Sequence, residues 1–222
     1  MQRGNRFSGL GTVLGCMLIV ACGCGRSESE KQADVPEVDE LVERQQLLEI
    51  GVGMLSEWIT HWGSQGFVGD AASFTKVQTI ALDHLERPEV NPLAGTESNL
   101  ESFQLSNPEG FGVIDIYDYK VRIDDGGEVL YEPDAEVTYY KANGMRERLL
   151  FIGPSGLFED AVWINGQTLL VAGYFEGDQG FSPMLWLVSI DKGSYEVYES
   201  SFVAPSYARH AYLEEKFKVK RE

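Results

Sequence analysis

The sequence predicts a mainly β domain: an antiparallel meander with one long N-terminal amphipathic helix, arranged as an open twisted sheet or as two packed sheets. Two observations predict it. Apolar residues from Val38 to Trp62 recur at helical steps. From about residue 73 to 202, short β-branched and aromatic runs alternate with turns rich in glycine, asparagine and aspartate.

The helix spans 38–62. Val38, Leu41, Val42, Leu48, Val52, Leu55, Ile59 and Trp62 fall three or four apart, with Asp39, Glu40, Glu43, Arg44 and Glu49 between them. Asp34, Pro36 and Glu37 supply a start signal, and Gly63 and Gly66 a stop. Gly51 and Gly53 weaken the interior by about 1 kcal/mol each relative to alanine. The acidic polar face argues against a lipid surface, where lysine and arginine are expected. The expectation is a helix packed on the protein's own sheet.

Strands follow. Phe74 to Leu82 reads as one, and Phe111 to Ile123 as a long one closed by Asp124-Asp125-Gly126-Gly127. Asn143-Gly144 and Asn165-Gly166 each separate two apolar runs and predict two-residue type I′ hairpins, in which both central residues need positive φ. Asp191-Lys192-Gly193 predicts a three-residue loop with Gly193 left-handed. Gly153-Pro154-Ser155-Gly156 reads as a turn joining two hairpins. Glu176 to Pro183, glycine-rich and bounded by aromatics, reads as a mobile recognition loop, with Phe175, Glu176, Asp178 and Phe181 as its candidate contact surface. Aromatics make up 11% of the chain, and the neighbours Tyr139-Tyr140 and Tyr174-Phe175 point to opposite faces of a regular strand. The segment 207–222 carries a short helical pattern and then Lys216, Lys218, Lys220 and Arg221, a basic tail with a fraying end.

Charge limits the partners. With 35 Asp and Glu against 18 Lys and Arg, the 222-residue chain has a net charge of −17. Such a chain repels phosphate backbones, which excludes nucleic acid, and solubility is the simplest account of the excess. No disulfide braces the body, because Cys16, Cys22 and Cys24 all lie at the N-terminus.

Arg3 and Arg6 precede an apolar run, Val13 to Ala21, too short to cross a bilayer; together they read as a secretory signal. Ile19-Val20-Ala21-Cys22 resembles the lipobox of bacterial lipoproteins. The resemblance implies cleavage before Cys22, its lipidation, and anchoring to a membrane by that lipid. By the same resemblance Gly23 favours the outer membrane of a cell that has two. The expected organisation is a signal at 1–21, a lipidated flexible tether at 22–37 and one globular domain at 38–222. Asn107-Pro108-Glu109-Gly110 and Phe158 to Trp163 each resemble the opening of a β-propeller blade, but the chain has room for only two blades.

Chemistry is sparse in the pattern. There is no G-x-S-x-G elbow and no glycine-rich phosphate loop, and His61, His84 and His210 form no ligand spacing, so neither a cofactor nor a metal is expected. Among many acids, Glu159 and Asp160 before Trp163 are the pair to inspect for glycoside hydrolysis, which needs two carboxyls facing across a cleft. The function classes rank as a non-enzymatic binding module for a protein or glycan, then a structural subunit of an envelope complex using the 38–62 helix, then a carboxylate hydrolase.

Overall fold

A computed structural model of the protein describes residues 38–95, 100–123 and 129–219. Cys22, the signal, the tether, the 124–127 turn and the last three residues lie outside the described residues. Two helices fill the first periodic stretch, α1 (Val38–Met54) and α2 (Ser56–Ser64). The chain turns at Leu55, whose N–H donates to the carbonyls of both Gly51 and Val52. Leu48, Val52, Leu55, Trp58 and Trp62 are buried, whereas Val42, Ile50 and Met54 are exposed. The apolar residues of α1 therefore occupy two faces, and the described residues cover only one of them.

The remainder is mainly β: β1 (Phe74–Ala81), β2 (Glu86–Pro88), β3 (Leu105–Ser106), β4 (Gly112–Asp115), β5 (Val121–Ile123), β6 (Val129–Tyr131), β7 (Ala135–Lys141), β8 (Met145–Ile152), β9 (Gly156–Trp163), β10 (Thr168–Gly177), β11 (Gly180–Ser189) and β12 (Ser194–Ser200), followed by α3 (Ala211–Val219). All pairings are antiparallel. One five-stranded sheet runs β1-β12-β11-β10-β9, a second runs β2-β8-β7-β4-β3, and β5-β6 is a two-stranded ribbon.

Gly51 of α1 lies on Leu170, and the Trp62 ring lies 6.4 Å from that of Tyr174. Leu170, Ala172 and Tyr174 share one face of β10, so the helices cover that face of the first sheet. On its other face the Trp163 ring meets Tyr139 of the second sheet edge-on at 5.8 Å, and its indole N–H donates to the Leu105 carbonyl of β3. The three layers share one apolar core.

Several turns differ from expectation, each for a local reason. At 143–144 the loop has three residues; Gly144 alone takes positive φ, +83°, and Asn143 caps the Met145 N–H. At 165–166 the loop also has three residues, Ile164 pairing with Thr168 across it; the Asn165 side chain accepts from Gln167, and Gly166 makes room for Glu109. Gly193 is left-handed as expected, φ +59°, in a loop one residue longer, 190–193. The single strand expected over 111–123 breaks into β4 and β5, because the Asp115 carboxylate accepts the N–H groups of Tyr117 and Asp118 and turns the chain. Residues 176–183 form no separate loop. The β10 and β11 ladder runs on to Gly177↔Gly180, leaving only Asp178 and Gln179 in the turn.

Candidate functional site

The chemistry-bearing residues gather in two places. The first is built on a break in β9. Regular pleating would send Glu159 and Asp160 to opposite faces. The register instead shifts between Ala172↔Asp160 and Gly173↔Phe158, which makes Glu159 the extra residue of a β-bulge and brings both acids to the helix-covered face. Opposite the bulge the backbones close in. A Cβ on Gly173 would sit 1.9 Å from the Leu157 carbonyl oxygen, so only glycine fits there.

Glu159 is completely buried. Its Oε2 accepts the indole N–H groups of Trp58 and Trp62 at 2.8 and 3.0 Å, and its Oε1 accepts the Tyr207 hydroxyl at 2.6 Å. The Tyr117 hydroxyl donates to its backbone carbonyl at 2.9 Å. Trp58 and Trp62 stand four apart on α2, so one helical face delivers both indoles to one carboxylate. Burial pushes the Glu159 carboxyl up to about 7, against the opposing pull of these donors. Burial and the neighbouring carboxylate in turn raise the Tyr207 hydroxyl above its ordinary value. Asp160 accepts from Tyr212 and Lys216 of α3 and from the Ala161 N–H. His61 links the two helices, with Nδ1 2.8 Å from Glu215 and Nε2 2.9 Å from the Tyr207 hydroxyl. Asp160 lines a cavity of about 210 Å³ together with Glu57 and Lys216, whereas Glu159 is sealed. The pair therefore does not face a shared cleft of the kind that glycoside hydrolysis needs. It ties α2, α3 and the Tyr207 segment to the sheet.

The second place is an open groove of about 690 Å³ beside β5 and β6. Leu93, Leu100, Tyr119, Val121 and Pro133 give it apolar walls, and Asp118, Arg122, Glu132 and Asp134 its charges. Arg122 and Glu132 pair with each other at 2.6 Å. The buried Lys120 gives its ammonium to the carbonyls of Glu132 and Pro133, and burial lowers its pKa. At the rim, the exposed rings of Tyr119 and Phe151 meet edge-on at 6.3 Å. Burial, reinforced by Asp115, raises the Asp118 carboxyl above the usual carboxylate range. Among the described residues no group of three His, Cys, Asp or Glu is placed to hold a metal ion.

Of the residues expected at a recognition surface, Phe175 is exposed and Asp178 sits at a hairpin tip. Glu176 is ion-paired with Arg209. Phe181 is buried against Tyr174 and Tyr207 and bridged to Ala204, so it is a core residue. The four do not form one patch. The sequence reading missed the Trp58-Trp62 pair as hydrogen-bond donors. Their spacing carried the signal, since two buried indole N–H groups on one helix face require an acceptor. It also missed the groove, which no local motif announces. Comparison with protein-family models, curated proteins and solved structures finds no match for this chain.

Proposed function

We propose that this protein is a lipid-anchored, non-enzymatic binding module of a bacterial cell envelope, with the groove beside β5 and β6 as its contact site. In this reading Cys22 carries the lipid, residues 23–37 form the tether, and the 38–222 domain presents its groove to a protein partner. The Ile19-Val20-Ala21-Cys22 pattern supports the anchor. The observation that carries the binding role is the contrast between acids: Glu159 and Asp160 are engaged by the protein's own donors, while the open groove combines apolar walls, an exposed aromatic rim and charge. Both halves are testable. Mass spectrometry of the exported chain should find acyl groups on Cys22, and Cys22→Ala should move the protein from the membrane to the soluble fraction. A photo-cross-linking amino acid placed at Tyr119 in cells should capture a discrete partner, and one placed at Asp191 should not. An unmodified N-terminus, or equal capture from both positions, would refute the reading.

A further inference from the structure

Resting on that reading, we infer that the groove takes an extended segment of a partner protein bearing lysine or arginine side chains. Among the described residues, every other carboxylate that is buried or half-buried has a donor. Glu40, Glu89, Glu132, Glu176, Glu196 and Glu147 meet cations. Glu136 meets Arg146, Asp160 meets Lys216, and Glu101, Asp115 and Glu159 accept N–H or O–H groups. Asp118 and Asp134 are half-buried and have neither a hydrogen-bond donor nor an ion-pair partner among the described residues, and both line the groove.

Leaving a partly desolvated carboxylate unpaired is costly, and a cation that enters the groove removes that cost. The neighbouring cations reach these acids only electrostatically, Arg146 and Arg122 acting on Asp118 and Lys120 on Asp134, and each holds a nearer partner. Arg122 is paired with Glu132, Arg146 with Glu136, and Lys120 with two carbonyls. Charge complementarity therefore specifies a cationic occupant. The apolar walls fit the methylene stems of lysine or arginine, and the ring face of Tyr119 at the rim offers a cation–π contact. A volume of about 690 Å³ holds several residues rather than one amine.

The test is fluorescence anisotropy of a fluorescein-labelled octapeptide of alternating Lys and Ser, titrated with the full-length protein in dodecyl maltoside at about 0.15 M salt. A Glu-Ser octapeptide serves as counter-probe and spermine as competitor. The wild-type protein should bind the Lys-Ser peptide and not the Glu-Ser peptide. Asp118→Asn with Asp134→Asn should weaken binding about tenfold, whereas Asp191→Asn with Glu199→Gln, which removes the same charge at exposed sites, should change it less than about twofold. Equal weakening by both double variants would reduce the effect to net charge and overturn the inference. Displacement by spermine as readily as by unlabelled peptide would make the groove a polyamine site and also overturn it. Failure of the peptide to bind, with cross-links from Tyr119 still formed in cells, removes the cationic partner and leaves the binding role standing.

Discussion

The bulged acids of β9 and the acids of the groove lie in one chain under opposite conditions. Glu159 is wholly buried and accepts three side-chain hydrogen bonds, whereas Asp118 and Asp134 are half-exposed and accept none among the described residues. Burial raises the pKa of both Glu159 and Asp118; hydrogen-bond donors oppose it at Glu159, and the charges of Arg146 and Arg122 oppose it at Asp118. The difference teaches that a buried carboxylate in this fold marks a structural joint. The groove proposed as the contact site lies where, among the described residues, carboxylates are sheltered and left without donors. By its partners, Glu159 joins α2 and the Tyr207 segment to β9, and Asp160 joins α3 to the same strand.

The largest expected effect comes from removing the joint. Glu159→Ala leaves two indole N–H groups and a tyrosine hydroxyl without their acceptor in a dry core, and should lower the unfolding free energy by roughly 3–5 kcal/mol in urea titrations. Next, Trp62→Phe keeps most of the ring stacked on Tyr207 at 4.6 Å while deleting one donor, and should cost about 1–3 kcal/mol, read as a lower thermal midpoint.

A third expectation concerns pH. The folded pKa of Glu159 lies above its ordinary value, so the folded state holds this proton more tightly than the unfolded chain does. Its contribution to stability is full below pH about 4.5 and is lost as pH rises through about 7. His210, stacked on Tyr131 at 3.8 Å, works in the other direction. Burial, with Lys120 and Arg209 nearby, depresses its pKa to about 4, so its contribution is present above 6.5 and lost as pH falls through about 4. Thermal melts across pH should show a stability maximum between the two. Glu159→Gln should flatten the alkaline side, and His210→Phe the acid side. The smallest effect is expected in the groove. Asp118→Asn with Asp134→Asn removes no hydrogen bond or ion pair among the described residues and should shift stability by no more than about 0.5 kcal/mol.

Much of the β framework was legible because local chemistry decides it. The strand read from Phe74 to Leu82 pairs as β1 over Phe74–Ala81, and Gly193 turns left-handed where the sequence places it. The long strand over 111–123 failed because a single side chain, Asp115, competes for the backbone N–H groups. The loop over 176–183 failed because its glycines sit inside a continuous ladder. Glu159 and Asp160 stood out in the sequence, but their role depends on Trp58, Tyr207 and Lys216, which lie far away along the chain. The groove draws on residues spread from 93 to 134 that tertiary packing brings together, so no short motif of the sequence contains it.

The most direct measurement is a urea unfolding series that sets Glu159→Ala beside the Asp118→Asn, Asp134→Asn double variant. A loss of several kcal/mol in the first, with the second within about 0.5 kcal/mol of the native protein, is the predicted result. A stable Glu159→Ala protein, or a double variant that unfolds as readily, would contradict the division between the two sets of acids.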